Sequence, residues 1–305
     1  MTDVADDAPL TPLLIDGSGR DGTTLLMQLL STAAEVVFDR TYPYEQRYFS
    51  YLLYWSRLPT ADEWDQASWN LDHLAHVDLL REAPVVGPLP WMDRSLISGN
   101  GGKEFWQEAF EGAWGAFSKK AREAVQERLG DRSLEARYYA QKSADSWALP
   151  FDQLPRIRLL CLLRDPRDVW ISSVAFHRRR AAEGERFLPI GEDESEQGLL
   201  EQFIEDQRKR LRWLAGVEEE RAAPLIRYES LITDLPAESE RISEWLGVPL
   251  DAEAVARRRE EYSGHITAGS VEQSVGRWRR EMPAEVAARF WDSMGPELEQ
   301  LGFEA

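Results

Sequence analysis

Gly17–Leu26 is a glycine-rich segment whose side chains could bind an anion. It follows the apolar residues Leu13–Ile15 and opens an amphipathic stretch, which predicts a turn between a strand and a helix. Glycines let the backbone approach a ligand closely, and the first turn of a helix offers unpaired N–H groups and partial positive charge. Arg20, Thr23 and Thr24 add a fixed charge and two hydroxyls. The segment therefore predicts a phosphate-binding site.

The residues of this turn also fit, wholly or in part, two other phosphate-binding motifs. Gly17, Gly19 and Gly22 fit the G-x-G-x-x-G dinucleotide fingerprint. Asp39 stands about where that fingerprint places its ribose-binding acid, so a Rossmann-type NAD(P)-dependent oxidoreductase is an alternative. The turn also nearly matches the P-loop of nucleotide triphosphatases. Thr23 replaces the lysine that holds the β- and γ-phosphates there, which argues against ATP or GTP chemistry.

A third interpretation places the positive charge inside the loop. Arg20-Asp21-Gly22-Thr23-Thr24-Leu25 resembles the 5′-phosphosulfate loop, [KR]-S-G-T-T-[LW], of sulfotransferases that use 3′-phosphoadenosine 5′-phosphosulfate (PAPS). Asp21 departs from the pattern because it replaces the usual serine. The resemblance implies that PAPS, or its product 3′-phosphoadenosine 5′-phosphate (PAP), is bound by Gly19, Arg20, Asp21, Gly22, Thr23 and Thr24. It also makes Arg20 a candidate catalytic cation.

The second signature of that family is an arginine at the end of a strand and a serine eight residues later, which bind the 3′-phosphate. Arg164 and Ser172 have this spacing, and Arg164 follows the apolar run Ile157–Leu163. Such a run is typical of a central parallel strand. Physically, an arginine offers a bidentate fork to a dianion, and a serine two helical turns on can close around it. Together the two motifs predict a clamp for a nucleotide phosphorylated at two places.

Two further segments are similar to the family. Ile226–Leu231 resembles R-Y-E-D-L, whose tyrosine, here Tyr228, lies beside the adenine. Gly276-Arg277-Trp278 is similar to the closing segment of tyrosylprotein sulfotransferases, which implies that Arg277 reaches a cofactor phosphate. Ser263 is its companion hydroxyl after a one-residue shift. The chain thus resembles the Golgi-type, tyrosylprotein sulfotransferase-like branch, as a soluble bacterial-type member.

Sulfuryl transfer by in-line displacement needs a cation and a base. Lys142 matches a lysine that the family places near the bridging oxygen. Golgi-type members use a glutamate shortly after the second strand, and Glu45 occupies that place among aromatic residues, which we expect to desolvate it and raise its pKa. Arg47 matches a substrate-side arginine of the tyrosylprotein branch. Asp145 is the reserve candidate for the base.

Strands that alternate with helices predict a three-layer α/β fold with a mainly parallel sheet, in one sulfotransferase domain over residues 1–305. The strands are predicted at Leu13–Asp16, Glu35–Asp39, Ile157–Leu163 and Pro224–Tyr228. We expect a disordered tail over residues 1–12, a tryptophan-rich helical insertion that recognises the acceptor over 50–147, and a mobile loop or lid over 184–198.

The composition argues against several classes of binding partner. A formal net charge of −18 argues against broad binding of nucleic acid, while a small anion could still bind a local basic cluster. The chain has no apolar run long enough to span a membrane and its first residues are acidic, so we expect a cytoplasmic protein. One cysteine and four histidines disfavour a metal site. The expected acceptor is a phenol or alcohol of a small molecule or peptide, and the resemblance makes a homodimer plausible. A non-catalytic PAP-binding protein is the remaining alternative.

Overall fold

The computed structural model describes residues 8–57, 100–143, 156–182, 196–257, 267–268 and 270–305. It divides the chain into two compact units, Met1–Pro9 with Arg47–Ala121, and Leu10–Gln46 with Arg122–Ala305. Several predicted features lie outside the described residues: Ser263, Asp145, residues 184–195 of the expected lid, residues 1–7 of the expected tail, and residues 58–99 and 144–147 of the expected insertion.

The larger unit is built on a five-stranded parallel sheet. Its strands are β1 (Thr11–Asp16), β2 (Val36–Val37), β3 (Tyr138–Ser143), β4 (Arg158–Leu163) and β5 (Leu225–Arg227). They lie in the order β2-β3-β1-β4-β5, and each adjacent pair is parallel. The predicted α/β fold with a parallel sheet is therefore confirmed.

The helices of this unit connect and flank the strands. They are Thr23–Leu30, Pro166–Ala182, Glu196–Arg221, Tyr228–Thr233, Leu235–Leu246, Ala252–Arg257, Trp278–Glu281 and Ala284–Gln300, with 3-10 turns at Gly130–Glu135 and Glu272–Ser274. The helix Glu196–Arg221 includes residues 196–198, which we had assigned to the lid.

The predicted end of the disordered tail and the predicted extent of the helical insertion are both wrong, because strand pairing in the sheet overrides local composition. β1 begins at Thr11, whose N–H donates to Arg137 O at 2.8 Å, so Thr11 and Pro12 do not belong to a disordered tail. Tyr138–Ser143 forms a strand inside the region predicted to be a helical insertion. Its sequence, Tyr-Tyr-Ala-Gln-Lys-Ser, has no strong strand pattern, but neighbours on both sides bury all six residues.

The strand order places a crevice beside β1. From β1 the chain continues to β2 and β3 on one side of the sheet, and then crosses to β4 and β5 on the other. Loops leave the carboxyl ends of β1 and β4 in opposite directions, and ligands of open α/β sheets bind where this happens. Asp16 pairs with Ser143 and with Cys161, so the three central strands end at nearly the same level. The turn after β1, Arg164 after β4 and Lys142 near the end of β3 therefore share one edge of the sheet.

The smaller unit contains the helix Tyr48–Arg57 and the first part of the helix Asn100–Leu129. Phe49 is buried and packs edge-to-face on Phe110 and Trp114, with ring centroids 5.7 and 5.3 Å away. Phe110 and Trp114 are four residues apart on one helix face. These aromatic residues thus form the core of a helix pair. Over the described parts of both units, no helix is long and apolar enough to cross a membrane.

Candidate functional site

The glycine-rich turn is held close to the sheet. Gly17 N–H donates to Ser143 O at 3.0 Å, so the turn leaves β1 still attached to β3. Arg20 and Gly22 both have positive φ, 60° and 102°. A Cβ on Gly22 would lie 2.5 Å from Cδ2 of Tyr228, so this position requires glycine for space as well as for its backbone angle. The strand, turn and helix predicted from the sequence are present, with the helix at Thr23–Leu30.

Asp21 faces into the protein. Its carboxylate is fully buried, and Oδ2 accepts the N–H of Ser18 at 2.5 Å. Asp21 was predicted to bind the cofactor, but as a residue that lacks the hydroxyl of the serine that usually stands in this loop. The structure turns its carboxylate inward through the bond to Ser18 N–H, so the side chain does not replace the contact of that hydroxyl.

The first cluster of predicted binding residues lies around Ser172. Arg20 Nε donates to Ser172 Oγ at 3.2 Å, and that hydroxyl lies 3.2 Å from Thr267 Oγ1. Arg277 Nη1 donates to the same Thr267 hydroxyl at 3.1 Å. Two guanidinium groups and two hydroxyls therefore converge at one place. The guanidinium of Arg20 also lies over the ring of Phe176, 4.7 Å from its centroid.

Positive charges in and beside this cluster repel one another. Burial, together with the positive charges of Arg164 and Arg179, lowers the pKa of Arg20 to about 10. Arg20 is still cationic at neutral pH. An anion placed among these groups would relieve the repulsion and replace the lost hydration.

Arg164 connects the turn to two other segments. Its Nη1 donates to Arg20 O at 2.5 Å, its Nη2 donates to Ser274 O at 2.7 Å, and its guanidinium stacks 4.2 Å from the ring centroid of Tyr228. Each of the two Nη groups of Arg164, which were predicted to bind a phosphate, therefore already donates a hydrogen bond to a backbone carbonyl. Among the described residues, its Nε is buried without a hydrogen-bond partner, and each Nη has a second N–H.

Tyr228 is held between the turn and the C-terminal segment. Its hydroxyl lies 2.7 Å from Ser274 Oγ, and its ring packs against Gly22. The side chain is buried at the mouth of the same cleft as the turn. The structure thus brings Tyr228 to the site, as predicted.

The second cluster lies around Lys142. Lys142 Nζ donates to Glu45 Oε1 at 2.7 Å, to Thr24 Oγ1 at 2.9 Å and to Pro43 O at 2.7 Å. Lys142 is buried at the end of β3, whereas 48% of the Glu45 side chain is exposed. The expected desolvation of Glu45 by aromatic residues is therefore wrong. Its position is set by an ion pair with a buried lysine.

The segment that carries Glu45 is anchored on either side of this residue. Tyr44 is buried, and its ring meets Phe38 edge-to-face with centroids 5.6 Å apart. Gln46 O accepts the hydroxyl of Tyr139 at 3.4 Å. The aromatic residues around Glu45 thus fix the backbone, while the carboxylate itself stays half-exposed.

A cleft joins the turn to the first cluster. Seven of the predicted residues line it: Arg20, Gly22, Thr23, Thr24, Arg164, Ser172 and Tyr228. Thr267 and Ser274 also line it and were not predicted. Nor was Asp168, whose two carboxylate oxygens accept Gly276 N and Trp278 N, each at 2.7 Å, and so hold Arg277 in place.

Arg47 belongs to the smaller unit, where its carbonyl accepts Tyr51 N–H at 3.0 Å in the first turn of a helix. Among the described residues, no group of three or more His, Cys, Asp or Glu side chains is arranged to hold a metal ion.

This parallel α/β fold, with a glycine-rich turn after β1 and two arginines lining the adjoining cleft, provides a site suited to an anionic ligand. A family model described as the sulfotransferase family matches residues 12–252. The chain therefore belongs to the sulfotransferase family. No curated protein matches its sequence.

Solved structures share this fold at low sequence identity. The sulfotransferase domain from the Synechococcus PCC 7002 olefin synthase is 16% identical, with a TM-score of 0.50 over 98% of this chain and 98% of that chain. Retinol dehydratase in complex with androsterone and inactive cofactor PAP is 14% identical, with a TM-score of 0.48 over 99% of this chain and 85% of that chain.

Proposed function

We propose that this protein transfers a sulfuryl group from PAPS to the hydroxyl of a phenol or alcohol, carried by a small molecule or a peptide. The proposal rests on one observation: the cluster around Ser172 and the cluster around Lys142 are both bonded to the segment that follows β1. Arg20 in the turn bonds to Ser172, and Thr24, four residues on, bonds to Lys142 and through it to Glu45. An anion-binding cluster and an acid–base pair thus flank the same phosphate loop.

The residues present fit a donor with phosphates at two positions. The 5′ end would lie against the turn, where Gly22, Thr23 and Thr24 line the cleft. The 3′-phosphate would be held by Ser172 and Arg277, with Arg164 positioning the turn. The unpartnered Nε of Arg164 and the mutual repulsion at Arg20 support an anion there.

Arg20 has a binding role in this proposal. The catalytic role expected from the sequence required its guanidinium beside the 5′-phosphosulfate. Its contacts with Ser172 and Phe176 instead support a place at the 3′-phosphate. Lys142 is then the cation at the reacting end.

PAPS supplies the sulfuryl group and leaves as PAP. Glu45 accepts the proton that the acceptor hydroxyl loses as its oxygen bonds to sulfur, and its half-exposed carboxylate is accessible for this. Lys142 would stabilise the oxygen that bridges sulfur and phosphorus, where negative charge collects as the S–O bond breaks. All three of its N–H groups are engaged, with Glu45, Thr24 and Pro43, so one of them would exchange its present acceptor for that oxygen. The Lys142–Glu45 ion pair orients both groups before the acceptor binds.

The same pair supports the Golgi-type branch, since a glutamate would be the base, as the resemblance implies for that branch. Arg47 is proposed to contact the acceptor, as its counterpart does in the tyrosylprotein enzymes. A homodimer and a cytoplasmic location stay predictions.

Thermal unfolding with PAP, PAPS, NAD, NADP and ATP tests the donor. A ligand at about 100 times its Kd stabilises the folded state by about 2.7 kcal/mol, so PAP and PAPS should raise the Tm by several degrees while the others leave it unchanged. Release of PAP in the presence of a panel of phenols and alcohols, with the sulfated product detected by mass, tests the transfer. Stabilisation by NAD alone would indicate an oxidoreductase, and PAP binding without turnover would indicate a non-catalytic protein.

A further inference from the structure

We propose that Asp21 is a positioning residue, which fixes the phosphate loop from the inside and thereby sets the affinity for the donor. The proposal rests on the proposed function for the identity of that donor. It concerns the one residue at which this loop departs from the pattern it resembles, where aspartate stands in place of serine.

The loop is folded around the Asp21 carboxylate. Oδ2 accepts the N–H of Ser18 at 2.5 Å, which closes the loop over Gly19 and Arg20. A Cβ on Gly17 would lie 2.6 and 2.8 Å from the two carboxylate oxygens, so the absent side chain of Gly17 provides the space that Asp21 fills. A serine hydroxyl, one bond shorter than a carboxylate, would not fill this space in the same way.

A buried ion pair acts electrostatically on the Asp21 carboxylate, whose Oδ1 has no hydrogen-bond partner among the described residues. Arg210 Nη2 donates to Asp16 Oδ2 at 2.6 Å and to Leu162 O at 2.7 Å. These contacts tie the helix Glu196–Arg221 to the ends of β1 and β4. Asp16, Asp21 and Arg210 are all buried, and the charges of both carboxylates raise the pKa of Arg210 against the opposing effect of its burial.

The charge balance explains why Arg210 is needed there. Two buried carboxylates, Asp16 at the end of β1 and Asp21 in the turn, adjoin the proposed anion site, and the charge of Arg210 opposes the effect of both. Burial raises the pKa of Asp21, and Asp16 raises it too, while Arg210 opposes both. Removal of the guanidinium would leave buried negative charge under the donor, which is unfavourable for both folding and binding.

Three variants separate these effects. Asp21→Ala removes the acceptor of a buried N–H, so the loop loosens, and we expect the Kd for PAP and the KM for PAPS to rise about tenfold or more with little change in kcat. Asp21→Asn keeps an acceptor for Ser18 and removes a negative charge, so PAP should bind as tightly as to the unmodified protein or more tightly. Arg210→Met should weaken PAP binding.

Isothermal titration with PAP gives these affinities, and Asp251→Ala is the control, since Asp251 is an exposed carboxylate that accepts Ala254 N–H at 2.8 Å. The amide proton of Ser18, observed by NMR without ligand, should move upfield in Asp21→Ala and stay in place in Asp21→Asn. Equal affinity for PAP in Asp21→Ala and the unmodified protein, or equal losses in Asp21→Ala and Asp21→Asn, would overturn the proposal.

The two proposals fail in distinguishable ways. If the unmodified protein binds no PAP, the proposed function fails, and the positioning of the donor fails with it. If the unmodified protein binds PAP and the Ser18 amide proton is the same in Asp21→Ala, only the role of Asp21 fails. If Asp21→Ala does not fold, Asp21→Asn tests the proposal instead. This variant keeps an acceptor for the Ser18 N–H, so a tenfold loss of PAP affinity in it would contradict the proposed role of Asp21.

Discussion

The ammonium of Lys142 lies 2.7 Å from Oε1 of Glu45, a residue 97 positions earlier in the chain. This contact joins a buried residue of the sheet to a half-exposed carboxylate. An ion pair of this kind holds a base in position before the substrate binds.

Replacement of Glu45 by glutamine should remove turnover and keep donor binding. Without a carboxylate to take the proton, kcat should fall by about 100-fold or more. The Kd for PAP should stay nearly the same, because Glu45 is not among the residues proposed to bind PAP. Steady-state assays of PAP release and titration with PAP measure the two quantities.

The matched control for that change is Glu135→Gln. Glu135 is similarly exposed and also pairs with a cation, Arg132, at 3.2 Å. Its loss should leave kcat unaltered. Turnover by Glu45→Gln at the rate of this control would remove Glu45 from the role of base.

Ser172 and Arg277 should discriminate between nucleotides with and without a 3′-phosphate. Ser172→Ala is expected to cost about 1 kcal/mol of PAP binding, and Arg277→Ala about 1.5–3 kcal/mol because its bond is to a charged group. The affinity for adenosine 5′-monophosphate, which lacks the 3′-phosphate, should change little in either variant. These two are cleaner probes than Arg164→Ala, since Arg164 also holds the carbonyls of Arg20 and Ser274.

The ratio of the two dissociation constants is the measurement. Ser173→Ala, the next serine on the same helix, and Arg279→Ala, with a half-exposed side chain, serve as controls. Parallel losses for both nucleotides would place the 3′-phosphate elsewhere.

Arg20→Ala should raise the KM for PAPS more than it lowers kcat. The guanidinium bonds to Ser172 at the proposed 3′-phosphate site, so its loss weakens donor binding in the ground state and the transition state alike. Lys142→Met should show the opposite pattern, with the larger effect on kcat. A loss of kcat in Arg20→Ala as large as in Lys142→Met would instead support the catalytic role expected from the sequence.

The sequence predicts those parts of the site that depend on local motifs. The turn after β1, Arg164 after β4 and Tyr228 after β5 each directly follow a strand. Parallel strands end at the same edge of the sheet, so motifs in this position meet without further information. Seven predicted residues share the cleft for this reason.

The missed features depend on contacts between distant residues. The strand Tyr138–Ser143 carries buried glutamine and lysine side chains, and Lys142 is satisfied by partners 118, 99 and 97 positions away. The exposure of Glu45 likewise follows from how Tyr44 packs. The inward direction of Asp21 depends on Gly17 and Arg210, which no pattern of spacing connects to it.

Asp168 should control donor affinity without touching the donor. Its carboxylate accepts the N–H groups of Gly276 and Trp278, each at 2.7 Å, and these flank Arg277. Asp168→Ala leaves two amides without their acceptor and should cost about 1–3 kcal/mol for each N–H that stays buried. We expect a lower Tm and weaker PAP binding, with added PAP recovering part of the Tm. Asp234→Ala, which removes an exposed carboxylate bonded to Ala237 N–H at 3.2 Å, is the control. A variant with reduced Tm but unchanged affinity for PAP would show that Asp168 stabilises the fold without positioning Arg277.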